Sequence, residues 1–217
     1  MVDLESGKSG DRRAEILALA TDAFLTHGYS GTSMADLAGA VGIRKASLYH
    51  HFPSKHDLFV ACVSEGFLGA LKRLEDIRDD PNLSDPDRIR AAMEEIYRVN
   101  TTTVVGRMAP LIAEVAPRIP EVARAFYDGF IARHYGLLTG MIEDGIARGC
   151  FLPVDAVALR QLIIGPVVFM QMEREITATF ADGEALVPIR RIRESHISMV
   201  LQLLTGATPA FGDVAKD

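Results

Sequence analysis

Between Ile43 and His56 the chain carries Arg44, Lys45 and Lys55 together with His50, His51 and His56, and no acidic residue. Arginine and lysine donate hydrogen bonds to guanine edges, and serine donates or accepts. Alanine meets the methyl of thymine, and tyrosine and histidine reach phosphate oxygens. Lys45, Ala46, Ser47, Tyr49 and His50 fall on outward or first-turn positions of a short helix over about Lys45 to His51, while Ile43, Leu48 and Phe52 point to a core. One face of that helix suits a groove in DNA and the other suits a fold. The plain alternatives are a solvated basic face and a Tyr49 ring that only packs. His50 and His51 are adjacent, so they point apart on a helix and make no metal pair.

The elements that must hold this face are helical. Apolar residues recur at spacings of three and four from end to end, and no run alternates with hairpin turn signals, which predicts an all-α chain. Ile16, Leu19, Ala20, Ala23 and Phe24 stripe a helix from about Asp11 to His27 that Gly28 closes. Thr32 or Ser33 caps a short helix through Ala40, and Gly42 breaks it. Pro53 ends the second short helix, and Ser54 caps a longer one to about Asp79. Two short helices joined by a glycine-containing turn form the helix-turn-helix pattern. Asp79 to Asp85 reads as a linker, and Pro86 opens a helix through about Thr103. A shorter helix follows near Met108 to Val115, and Pro120 opens a long one ending at Arg148-Gly149. Two helices, about Asp155 to Phe180 and Val187 to Leu204, complete the chain, and the tail after Gly206 reads as frayed. The expected domains are a helix-turn-helix head over 1–56 and a helical domain over 57–217.

The chain has 217 residues, 48% of them apolar and 24% charged, the usage of an ordinary globular protein large enough to bury a core. The net charge of −6 argues against nucleic acid only until it is divided. Residues 1–56 hold six basic and six acidic side chains, whereas the remainder holds 17 and 23. The local basic patch therefore matters more than the total. Cys62 and Cys150 read as small buried hydrophobes in a reduced interior. The polar start shows no secretory signal, and the longest apolar run, Leu162 to Met170, is short for a bilayer, so the expectation is a cytosolic chain without a membrane partner. No nucleophile elbow, phosphate loop, dinucleotide fingerprint or metal motif occurs, so neither enzyme machinery nor cofactor nor metal is expected.

The segment Thr32 to Phe59, TSMADLAGAVGIRKASLYHHFPSKHDLF, resembles the DNA-binding domain of the TetR family of bacterial regulators. The carrying residues are Phe24, Gly28-Tyr29, Thr32-Ser33, Leu37-Ala38, Val41-Gly42-Ile43, Leu48-Tyr49-His50-His51-Phe52, Ser54-Lys55 and Leu58. The resemblance covers about residues 12–60 and implies a three-helix reading head on a helical ligand-binding and dimerisation domain. It implies base-edge roles for Lys45, Ala46 and Ser47, and phosphate roles for Tyr49, His50 and Lys55. Thr32 and Ser33 would lie at a helix start touching the DNA backbone. Two positions depart from the family pattern: Arg44 stands where a small capping residue is usual, through loss of the cap or an added DNA contact, and Ala35 replaces a longer polar side chain.

In the second half, Phe126, Tyr127, Phe130, His134, Phe169 and Met170 either line a cavity or fill a core, with Arg133 and Glu173 as polar contacts for a ligand. Pro166 withholds a hydrogen bond from the carbonyl of Leu162 and predicts a kink. Ile192, His196, Met199, Val200 and Leu203 form a stripe which, paired with Leu159, Leu162 and Ile163, makes half of a four-helix dimer interface, as the resemblance implies. The expected function is a ligand-responsive regulator, most often a repressor, binding double-stranded operator DNA as a homodimer and released by a small molecule. The alternative is a small-molecule-binding helical protein whose DNA head is vestigial.

Overall fold

A computed structural model of the chain describes residues 4–207, and among these no strand occurs. In chain order the helices are α1 (Leu4–Gly31), α2 (Met34–Val41), α3 (Lys45–His51), α4 (Lys55–Asp79), α5 (Asp85–Thr102) and α6 (Val105–Val115). There follow α7 (Pro120–Phe126), a π-helical turn (Tyr127–Ile131), α8 (Ala132–Ala147), α9 (Ala156–Thr177), α10 (Gly183–Leu186) and α11 (Ile189–Thr205). The expected frayed tail lies outside the described residues beyond Ala207. The chain divides into two compact units, one of residues up to Gly69 with Arg107–Ile131, the other of Ala70–Gly106 with Ala132 onward. This partition differs from a cut after residue 56: the first half of α4 packs with the head, and so does the segment containing most of α6, with α7 and the π turn.

In the first unit, Ile16, Ala20 and Phe24 of α1 close on Leu37 of α2, Leu48 of α3 and Leu58 and Phe59 of α4, all within 2% of full burial. Phe24 and Phe59 meet edge to face at 4.9 Å. Helix α1 starts earlier than the apolar stripe suggests. It also runs past Gly28, whose φ of 70° and ψ of 171° break the helical path and kink it. Cys62 is buried here, its thiol 3.7 Å from the carbonyl of Leu17, and burial pushes its pKa up to about 11. Phe67 of α4 packs against Phe126 and Phe130 at 4.9 and 4.1 Å.

The second unit is built from α5, α8, α9 and α11, with Ile89, Met93, Tyr97, Leu138, Ile142, Ile163, Val200 and Leu204 at its centre. The long helix expected from Pro120 to Arg148 is interrupted by the π-helical turn, which inserts a wider turn and shifts the register of the faces after it. Gly149, with φ 72°, ends α8 by the six-to-one bond of Cys150 to Gly145 and the bond of Gly149 to Ile146, and the Phe151 ring sits where a Cβ on Gly145 would project. Cys150 is exposed, contrary to the buried reading, because this turn leaves it outside the helix packing. Helix α9 continues unbroken through Pro166. It is long and apolar enough to cross a membrane by length and composition, although the run Leu162 to Met170 alone is not. Its inner face, Ala156, Leu159, Ile163, Val167 and Met170, is buried in the second unit, as in any core helix.

Candidate nucleic-acid interface

Ser33 caps α2: its hydroxyl oxygen accepts from the Asp36 N–H at 3.1 Å and its hydroxyl donates to the Asp36 carboxylate at 2.6 Å. Gly42, with φ 73°, ends α2 in the left-handed region, its N–H bonding to Gly39 and that of Ile43 to Ala38. A side chain with a Cβ would be strained there, which is why the turn needs glycine. The chain re-enters a helix at Lys45. Leu48 and Phe52 are buried, and Arg44, Lys45, Ala46, Ser47, Tyr49 and His50 are exposed. Arg44 occupies the cap position without a side-chain cap bond, so the cap is lost and the guanidinium is left outward. Among the described residues neither Arg44 nor Lys45 pairs with a carboxylate, and Lys45 leans over the Tyr49 ring at 5.8 Å. Ser54 then caps α4 through the Asp57 N–H at 3.1 Å. The result is a short helix fixed from behind by two apolar anchors, presenting unneutralised cations and hydroxyls on its outer face.

Two expected DNA contacts are placed differently. Thr32 is buried, and its hydroxyl donates to the carbonyls of Gly28 at 2.9 Å and Ala23 at 3.2 Å. It fastens the broken end of α1 to the start of α2, so its hydroxyl is not a free phosphate donor. Lys55 donates from Nζ to the carbonyls of Tyr29 at 2.8 Å and Thr32 at 2.9 Å, with the ammonium 4.3 Å over the Tyr29 ring. These carbonyls lie in the last turn of α1 and just beyond it, where no helical N–H follows, and a flexible lysine stem on α4 supplies donors to them. Lys55→Ala should therefore lower the stability of the head by about 2 kcal/mol, within the range for hydrogen bonds to charged groups. It should leave the salt slope of DNA binding unchanged. A slope reduced by about 0.9 per subunit at unchanged thermal midpoint would restore the phosphate role. Sequence reasoning gave Arg13 no role. Its guanidinium lies 4.8 Å over Phe52 and 2.9 Å from Glu65, bracing the end of α3, and only the i-to-far pairing in three dimensions reveals it.

The eight residues expected to line a ligand pocket do not gather within either unit. Phe126, Tyr127 and Phe130 belong to the first; Arg133, His134, Phe169, Met170 and Glu173 belong to the second. Phe126 and Phe130 stack on each other and pack tilted against Phe67, and Tyr127 is exposed. Arg133 lies beside a cleft of about 330 Å³ with Glu75, Arg78, Leu137 and Asp144, and is already paired to Glu75 at 2.9 Å. His134 and Met170 are buried, whereas Phe169 is 55% exposed, pointing outward on α9 where a core or pocket filler was expected. A larger cavity of about 660 Å³, lined by Arg174, Phe180, Asp182, Val187 and Ile189 among others, involves none of the eight.

The expected dimer stripe also splits. Leu162, Met199 and Leu203 are exposed, but Leu159, Ile163, His196 and Val200 face the core of their own unit, and Ile192 is half-buried. The outward large apolar side chains of α9 and α11 are instead Val157, Leu162, Val168, Phe169, Met172, Ile176, Met199 and Leu203.

Residues 16–62 match the sequence model of bacterial regulatory proteins of the tetR family. The transcriptional repressor KstR2 of Rhodococcus jostii (strain RHA1) is 46% identical over 69 residues, 32% of this chain and 33% of that protein. The chain thus spans about a third of the length of that relative. The uncharacterized transcriptional regulator YezE of Bacillus subtilis (strain 168) is 30% identical over 174 residues, 67% of this chain and 82% of YezE. The crystal structure of AibR, solved in complex with isovaleryl coenzyme A and operator DNA, superimposes with a TM-score of 0.67 at 25% identity, covering 87% of this chain and 97% of AibR. With the capped α2, the Gly42 turn and the exposed α3 inside the matched segment, the chain belongs to the tetR family of bacterial regulatory proteins.

Proposed function

We propose that the chain is a ligand-responsive transcriptional regulator, not an enzyme, that acts in the cytoplasm as a homodimer. In this reading it is a repressor released from a pseudo-palindromic operator by a small apolar or amphipathic molecule. The observation that carries the reading is the outer face of α3, where Arg44 and Lys45 stand exposed without carboxylate partners beside Ser47, Tyr49 and His50. Cations kept free of internal partners are available to release counterions from a polyanion. The likeness to a KstR2 repressor supports repression, and the operator DNA bound by AibR supports the same use of the head. AibR's isovaleryl coenzyme A supports an amphipathic effector. The number of large apolar side chains turned outward on α9 and α11 supports the dimer, because exposed apolar surface of this kind marks interaction sites. A two-fold partner would set the two α3 helices about 34–36 Å apart, or a multiple of one DNA turn.

Selection of bound duplexes from random DNA by the full chain, with Lys45→Ala beside it, tests the reading. The parent should enrich a sequence with two-fold symmetry. Lys45→Ala should lose about 1–3 kcal/mol on that operator and relax one position in each half-site. No enrichment would leave a small-molecule-binding protein with a vestigial head. An unchanged sequence preference for Lys45→Ala would move base reading to Arg44 or Ser47.

A further inference from the structure

Pro166 stands in the middle of α9, where its ring nitrogen has no N–H to give to the carbonyl of Leu162 one turn earlier. That carbonyl is not left bare. The imidazole of His196, from α11, lies with Nε2 at 2.9 Å from it. A carbonyl only accepts, so Nε2 carries the proton, and in the neutral ring Nδ1 is then an acceptor. Nδ1 lies 2.9 Å from the hydroxyl of Tyr97 on α5, which makes the phenol the donor. Tyr97 is 1% exposed and His196 7%. Three helices thus meet on one imidazole, and a proline in the second of them sets its tautomer.

We propose that His196 is a proton-operated latch: neutral, it ties the core helix α5 to the two helices that carry the outward apolar face, and a proton taken from solvent at Nδ1 turns the ring from acceptor to donor and strips the Tyr97 hydroxyl hydrogen of its partner. Protonated Nδ1 presents a hydrogen to the Tyr97 oxygen, and the phenol O–H, deep in the unit, loses the acceptor it had. A buried donor without an acceptor is unfavourable, so the ring or the phenol must move. The groups facing the ring do not relieve this. Among the described residues the ring's hydrogen-bond partners are Tyr97 from α5 and the Leu162 carbonyl from α9, while α11 contributes Arg191 and Ser195 around an adjoining shallow cavity of about 380 Å³ that Pro166 and Met199 also line. Arg193 acts on Tyr97 as a further cation. Among the described residues no carboxylate pairs with His196, and burial holds its pKa below the usual histidine value. The proton therefore binds late and at the expense of the packing between α5 and α11. Because Met199 and Leu162 flank the latch on the exposed side, opening it alters the outward face, and for its effect on assembly the latch rests on the dimer reading above.

His196→Gln provides the test, since a glutamine amide offers both a donor for Leu162 and an acceptor for Tyr97 but does not titrate. The folding equilibrium of the parent, relative to His196→Gln, should fall by up to about tenfold per pH unit below pH 6.5. Other histidines contribute equally to both proteins and cancel. Parallel loss of stability in the two proteins would overturn the latch. Ring nitrogen NMR of the parent provides a second readout if the variant does not fold. It should show Nε2 protonated, Nδ1 unprotonated and titration below pH 6.5. An Nδ1–H tautomer, or titration at or above pH 6.5, would overturn the proposal. Sedimentation at the same pH values separates the two readings: a dimer weakened by acid in the parent alone supports both. A monomer at every pH, with the stability difference intact, supports the latch and removes the dimer.

Discussion

Asp85→Ala should lower the stability of the second unit by about 3–5 kcal/mol, the cost of removing one partner from a buried charge cluster. The Asp85 carboxylate is 7% exposed and accepts from Arg88 Nη1 at 2.8 Å, from Arg148 Nε at 2.9 Å and from Arg148 Nη2 at 2.7 Å. Arg88 is itself 14% exposed and spends its other donors on the carbonyls of Ile77, Asp80 and Leu83, so it pins the linker between α4 and α5. Without Asp85 that guanidinium stays buried with no counter-charge, and α8 loses its tie to the start of α5. The Arg148 guanidinium holds the Asp85 carboxyl below its ordinary pKa, with further help from Cys150 and Arg88 against the opposing effect of burial. A depressed carboxylate contributes stability above its unfolded pKa of about 3.9 and loses it as pH falls through the folded value, so the penalty of the substitution should shrink in strong acid. Arg148 is half exposed, and Arg148→Ala should cost much less than Asp85→Ala. Urea midpoints at pH 7 rank the variants. A loss for Asp85→Ala no larger than for Arg148→Ala would mean that the cluster acts as a surface ion pair.

The parts of this molecule legible in its sequence are those governed by local chemistry. Ser33, Gly42, Ser54 and Gly149 mark helix ends because a hydroxyl satisfies an orphan N–H and glycine accepts a left-handed φ, and neither effect needs a distant partner. The outward set on α3 was readable for the same reason, since a seven-residue helix with Leu48 and Phe52 inward leaves one face for everything else. Lys55 and Thr32 were misread because residue type gives a donor but not its acceptor. The carbonyls they reach cluster around the C-terminal end of α1 and the link to α2, a grouping that only the three-dimensional fold creates. The seam was half misread because a period of 3.6 marks an apolar face without saying whether the same chain or another covers it. Leu162 and Ile163 are neighbours on α9, yet one is exposed and the other fully buried. The π turn at Tyr127–Ile131 leaves no compositional sign, so the faces of α7 and α8 could not be phased together.

His134→Gln should make the protein less sensitive to acid by roughly 3 kcal/mol between pH 6.5 and pH 4, the free-energy equivalent of the displacement of this histidine from its ordinary value. His134 is buried in α8, and burial first, then the charge of Arg160 on the facing α9, pushes its pKa down to about 4. The Arg160 guanidinium is held there by stacking 4.1 Å over Tyr135 and by a bond to Thr139 at 3.2 Å, and no carboxylate among the described residues neutralises it. The fold therefore keeps His134 neutral, while the unfolded chain takes up a proton near pH 6.5. Its contribution is fully present above that pH and is lost as pH falls toward 4, at about 1.4 kcal/mol per unit. The glutamine variant lacks the titrating ring, so its stability curve should be flatter across the same window even if it is lower at pH 7. Arg160→Gln should move the His134 titration upward while leaving burial in place, so that the loss still begins near pH 6.5 but levels off at a higher pH, and is smaller in total, than in the parent. An unchanged curve for His134→Gln would mean that the ring titrates in the folded protein as it does in the unfolded chain, and that α8 admits water at this position.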